Sequence, residues 1–125
     1  MMPRQPMEAM PAVWSLCDIS LISLRDTPLF TKVIPSKIFE SMGMGLPMVI
    51  ACPVGEATEI IEGTSSGVVV EPENPQALAD CVAGLYSDRT RLAELARASG
   101  ISAKRYDRAR QAELMLTSLQ SVAED

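Results

Sequence analysis

With 125 residues, 47% hydrophobic and only 22% charged, the chain is long enough for one domain with a real core and too apolar to stay disordered. A net charge of −5 with no run of basic residues argues against a nucleic-acid surface, and the absence of histidine removes the commonest general base, the commonest metal ligand and any Ser-His or Cys-His nucleophile pair. Cys17, Cys52 and Cys81 are odd in number and embedded in apolar stretches, which predicts buried free thiols of a reducing compartment rather than disulfides or a metal site.

No apolar run reaches membrane-spanning length and no secretory pattern opens the chain, so the expectation is a cytoplasmic protein. Aromatic residues make up 4%, so the interior is expected to be built from Val, Ile, Leu, Ala and the eight methionines.

In chain order, Met7, Met10, Val13, Trp14 and Leu16 recur at near-helical spacing around Pro11, which predicts a short, broken helix. Residues 18–24 read as a buried strand. Residues 25–34 have no period and contain Pro28, so a long loop feeds the helix that opens at Pro35 and runs through Ser36, Lys37, Ile38, Phe39, Glu40, Ser41 and Met42. Gly43, Gly45 and Pro47 end it, and the unbroken apolar run of residues 48–52 predicts a strand covered on both faces.

Residues 56–62 form a short amphipathic helix and residues 67–70 a third strand. The resulting βαβαβ unit predicts three parallel strands side by side in chain order. Beyond it the chain reads as all helix. One helix from about Pro75 turns Leu78, Cys81, Val82 and Leu85 inward, a second stops at Gly100, and a third over residues 102–121 turns Tyr106, Ala109, Leu116 and Leu119 inward, with Lys104, Arg105, Arg108 and Arg110 clustered near its start. The fold class is α/β, a Rossmann-like partial domain of three parallel strands flanked by helices with a helical C-terminal third, and residues 1–125 form one unit. Met42, Met44 and Met48 are expected to fill core. A sheet this small leaves an uncovered apolar edge at residues 19–24, which predicts a homodimer or another partner there.

Ligands of open α/β sheets bind beyond the carboxyl ends of the strands, here the loops at residues 25–35, 53–55 and 71–75. Pro35, Ser36 and Lys37 would present backbone N–H groups, a hydroxyl and an ammonium at the positive end of a helix, a common way to hold phosphate. Glu40, one turn further, is an acceptor suited to the paired hydroxyls of a ribose. Two readings stay open on these residues: a nucleoside diphosphate site, or a helix start whose Ser36, Lys37 and Glu40 are merely solvated. Glu56 and Glu59 fit the dipole at the start of their own helix. A phosphoacceptor reading through Asp26 lacks the acidic pair such domains need on an earlier strand.

The run Ile34-Pro35-Ser36-Lys37-Ile38-Phe39-Glu40-Ser41-Met42 followed by Gly45-Leu46-Pro47 resembles the signature of family-4-type glycosyltransferases of the GT-B fold. Met10-Pro11 before Trp14, Cys17-Asp18, residues 55–61 and residues 70–78 resemble the same family's C-terminal domain, in order and at matching intervals. The nearest subgroup in flavour is the one named for the fucosamine transferase WbuB, of surface-polysaccharide assembly.

The resemblance implies a donor-binding domain in which Glu40 holds the ribose of a nucleotide sugar, UDP-linked, while Ser36 and Lys37 face the diphosphate and residues from Thr31 to Ile34 lie near the sugar. Many members carry a second glutamate where this chain has Lys32; Lys32 could meet a phosphate or a carboxylated group instead, or be a solvated loop lysine, or Asp26 could supply the acid. The family retains anomeric configuration and needs no protein nucleophile, and the resemblance implies no metal and no cofactor besides the donor. It covers only the latter portion of the second of two lobes. The expectation is therefore a donor-binding piece, inactive alone, of an enzyme that passes a sugar to a lipid-linked or polysaccharide acceptor. The acceptor-binding lobe would be the missing partner, and the full enzyme could associate peripherally with a membrane. The competing expectation is a non-catalytic α/β module that pairs with itself or with a separately encoded lobe.

Overall fold

A computed structural model describes residues 2–123. After a 3-10 turn at Met7–Ala9 come α1 (Met10–Trp14), β1 (Ser20–Ser23), a second 3-10 turn at Pro28–Thr31, α2 (Ser36–Gly43), β2 (Met48–Ala51), α3 (Glu56–Thr64) and β3 (Gly67–Val70). Helices α4 (Pro75–Ser87), α5 (Arg89–Ala103) and α6 (Arg108–Ala123) complete the chain. The strands are parallel and lie in the order β1-β2-β3, with Ser20, Met48 and Gly67 in register across the sheet. The α/β, Rossmann-like arrangement expected from the sequence is the one observed.

The alternation of β2 builds two cores. Met48, Ile50 and Cys52 point to one face, where they meet Ile22 of β1, Ile38 and Met42 of α2, and Ala57 and Ile61 of α3. Val49 points to the other and packs with Leu85 of α4 and with Leu92 and Leu95 of α5. A fully buried strand needs this two-sided cover because successive side chains leave on opposite faces.

Local chemistry sets the element ends. Gly45 takes φ +64°, and around it the Leu46 N–H donates to the Ser41 carbonyl at 2.9 Å while the Gly45 N–H donates to Met42 at 3.0 Å. That is the paired closure that turns a helix off without leaving carbonyls unmet. Asn74 caps α4, its Oδ1 accepting from the Ala77 N–H, and Asp88 caps α5 in the same way through Arg91, both at 3.0 Å. Ser99 donates to the Leu46 carbonyl at 2.7 Å, tying α5 to the turn between α2 and β2.

Several sequence expectations change. Gly100 does not stop a helix: α5 continues through it to Ala103. Among the described residues nothing covers helix α6, so Ala109, Leu116 and Leu119, expected inward, are exposed. Only Tyr106, in the elbow before α6, is partly buried. Met44 is exposed at the end of α2, while Met42 and Met48 are in the core. The β1 edge is mixed rather than uniformly apolar: Ser20 and Ile22 are buried, and Leu21 and Ser23 face out.

Cys17 is exposed, contrary to expectation, because it follows α1 in the approach to β1; Cys52 is buried and Cys81 half-buried, and all three are free. Burial pushes the Cys52 thiol up, and burial does the same to Cys81 against the opposing pull of Arg91. Among the described residues no helix is long and apolar enough to cross a membrane.

Two measurements test this packing. With a thiol-reactive dye at neutral pH, Cys17 should label at once and Cys52 only as the protein unfolds; early labelling of Cys52 would contradict its place in the core. Met42→Ala should lower the urea-unfolding free energy by about 2–5 kcal/mol, the usual cost of hollowing out a fully buried methionine position.

Candidate functional site

Because the strands are parallel, the segments that leave β1, β2 and β3 share one edge of the sheet. The first, residues 24–35, is pinned there by the second. The Gly55 backbone approaches Thr31 so closely that a Cβ at position 55 would run into the Thr31 carbonyl. Gly55 is held in turn by α3: its N–H donates to Thr58 Oγ1 at 2.9 Å, and the buried Thr58 hydroxyl lies 2.8 Å from the Gly55 carbonyl. Thr31 closes its own 3-10 turn by donating to the Pro28 carbonyl at 2.7 Å.

Helix α2 begins at Ser36 directly below that loop, with Pro35 in extended geometry and no side chain capping the first turn. Its leading N–H groups are therefore available to a ligand. Inward, Ser41 Oγ lies 2.6 Å from the Lys37 carbonyl and 2.7 Å from Ser20 Oγ, so α2 is locked to β1 by a buried hydroxyl pair.

Outward, Ser36, Phe39, Glu40 and Gly43 recur at helical spacing and form one wall of an open groove of about 780 Å³. The facing wall is the elbow between α5 and α6 and the first turns of α6. There Tyr106 stands against Phe39, ring centroids 5.3 Å apart and planes at 40°. Lys104, Arg108 and Arg110 line this wall together with Asp107 and Glu113, so the groove carries both signs of charge, with cations clustered around the elbow.

Glu40 belongs to a second hollow as well. Next to the groove, and sharing Gly43 as well as Glu40 with it, a cleft of about 400 Å³ is lined by Met7, Met10, Pro11 and Trp14 from the N-terminal segment and by Met44 from α2. Glu40 and Gly43 therefore border both an apolar cleft and a charged groove.

Of the residues singled out in the sequence, the structure brings Ser36 and Glu40 together in the groove. Lys37 is exposed but does not line it, and Pro35 precedes the helix as its cap position. Thr31 is half-buried against Gly55, while Lys32 and Ile34 are exposed in the loop above. Sequence reasoning placed Tyr106 inward and noticed the basic cluster, but had no means of pairing either with Phe39 and Ser36, which lie about 70 positions away along the chain. The cleft formed by Met7, Met10 and Trp14 was likewise visible only as a helical period.

Two solved structures share this fold closely. They are crystal structures of Anabaena Alr3699/HepE, one in complex with UDP and one in complex with UDP-glucose. They superpose with TM-scores of 0.75 and 0.73, each at 25% sequence identity over 90% of this chain. The present chain spans 30% of the length of those chains. No curated protein matches it. Residues 2–88, which include β1 to β3, α2 and Glu40, match the family described as group 1 glycosyl transferases, and the chain belongs to that family.

Proposed function

We propose that this chain is the nucleotide-sugar-binding part of a glycosyltransferase, of the WbuB-like subgroup, that moves a sugar from a UDP-linked donor to a lipid-linked or polysaccharide acceptor. The observation that carries this reading is the position of Glu40. It is an exposed carboxylate on the first turns of a helix at the carboxyl edge of the sheet, beside uncapped backbone N–H groups and the cations Lys104, Arg108 and Arg110. A carboxylate accepts from both hydroxyls of a ribose, and N–H groups with cations neutralise a diphosphate. The likeness to chains solved with UDP and UDP-glucose supports the same ligand class.

In this reading Glu40 orients the nucleoside, Ser36 and the start of α2 meet the diphosphate, and Lys37 adds positive charge at the helix tip. Thr31, Lys32, Ile34 and Pro35 form the loop nearest the sugar, with Lys32 available to a phosphate or carboxylate. The leaving diphosphate gathers charge as the glycosidic bond breaks, and the groove's cations are placed to stabilise it.

The chain is not expected to turn over alone. A transferase of this fold closes a second lobe over the donor, and two surfaces here are suited to such cover: Leu21, 53% exposed on β1, and the run Leu114, Met115, Leu116, Leu119 and Val122 along α6. We propose the acceptor-binding lobe as their partner, in a cytoplasmic enzyme with peripheral access to a membrane-borne acceptor. A homodimer through the free edge of β1 is the second reading, favoured by the exposed Leu21, and concentration-dependent mass would reveal it.

Isothermal titration with UDP and UDP-sugars should give saturable binding. Glu40→Ala should weaken it about tenfold or more, since a hydrogen bond to a charged group contributes roughly 1.5–3 kcal/mol. Equal affinity in the variant would remove Glu40 from the site.

A further inference from the structure

The two walls of the groove are not held equally firmly. Helix α2 is fixed from inside by Ile38, Ser41 and Met42, all buried. Helix α6, which brings Arg108 and Arg110 to the groove, has no buried residue of its own among those described. Lys104 stands at the end of α5 and is placed by that helix, whereas Arg108 and Arg110 lie beyond the elbow and are placed by whatever holds the elbow.

Tyr106 is the residue that holds it. It lies within the elbow, half-buried against the core cluster that contains Ile38 and Met42, with Phe39 and Ala103 packed on the same cluster. Its ring meets Phe39 at 5.3 Å between centroids with the planes tilted by 40°, inside the range in which two aromatic rings attract. The other bonds of the elbow are local: the Tyr106 N–H donates to the Ala103 carbonyl at 3.2 Å, and Gln111 Nε2 donates to the Arg105 carbonyl at 2.9 Å. They shape the bend without tying it to α2.

Resting on the nucleotide reading above, we infer that Tyr106 is a positioning residue for the donor diphosphate: its ring contact with Phe39 sets the direction in which α6 leaves and so holds Arg108 and Arg110 across the groove from Ser36 and Glu40. The tyrosine acts through the two arginines. Phe39 and Glu40 are consecutive on α2, so the helix that presents the carboxylate also anchors the cationic wall. An arginine whose backbone is already in place loses less freedom on binding, and an unanchored α6 would forfeit that advantage.

A mutant cycle on the full chain tests this, with UDP affinity read by calorimetry. Tyr106→Ala should weaken UDP about two- to tenfold, the range an aromatic pair accounts for, while Tyr106→Phe, which keeps the ring, should bind as the unmodified chain does. On an Arg108→Ala/Arg110→Ala background the Tyr106→Ala change should cost nothing further, because the groups it positions are gone. The salt dependence of UDP affinity should fall in Tyr106→Ala as it does in the arginine variant, since fewer cations then meet the diphosphate. Circular dichroism melts show whether each variant is folded; if Tyr106→Ala is not, Tyr106→Leu, which keeps apolar cover without a ring, takes its place in the cycle.

A loss that adds in full on the arginine-free background would make Tyr106 a structural residue only and overturn the proposal. So would UDP binding that depends on Glu40 yet is indifferent to Tyr106→Ala or to removal of the two arginines, and either result leaves the nucleotide reading standing. An absence of UDP binding to the unmodified chain would overturn both.

Discussion

The structure depends on the burial of β2 on both faces. Met48, Ile50 and Cys52 have no solvent side to turn to, and neither has Val49, so helices must lie on each side of the sheet at once. The hydrophobic gain from covering aliphatic side chains from both directions is the largest favourable term available to a chain with so few aromatics. Everything else is arranged around that strand: α2 and α3 close one face, α4 and α5 the other, and the Gly45 turn delivers the chain from α2 into β2 at the angle the packing needs. The Ser99 bond to Leu46 ties the late helices to that same turn, so the two layers are joined at the point where the strand begins.

The groove inherits its geometry from this arrangement. Helix α2 is held from inside by Ile38, Ser41 and Met42, all buried, which leaves Ser36, Phe39, Glu40 and Gly43 facing out by the helical period alone. The core face thus determines which residues line the groove. Gly55 then brings the β1 loop down over the start of the helix, because at that position only hydrogen fits beside the Thr31 carbonyl. A rigid scaffold with a loop locked against it is the usual way a fold presents polar groups in fixed positions.

The surfaces left bare are informative in their pattern. Where β2 and β3 are covered by α4 and α5, β1 is not, and Leu21 stands exposed on that side. Helix α6 leaves the body of the protein after the elbow at residues 104–107 and carries a row of large apolar side chains into solvent. Both are consistent with a unit that spans 30% of the chains it superposes on. The apolar residues of α6 read from the sequence as a core-facing stripe because their periodicity is the same whether the covering surface belongs to this chain or to another.

Element order and parallel topology were legible in the sequence. These rest on local rules: the unbroken apolar run of β2 and the Gly45 and Pro47 stop. Gly100 misled because a glycine inside a helix looks, in one dimension, like a glycine that ends one. Cys17 misled because an apolar neighbourhood in sequence is not burial in space. The pairing of Phe39 with Tyr106, the gathering of Arg108 and Arg110 opposite Ser36, and the position of Trp14 beside Glu40 were decided only by tertiary packing. Each joins segments far apart along the chain, and which segments meet is settled by how helices cover a shared sheet, a balance of burial across the whole molecule that no local pattern encodes.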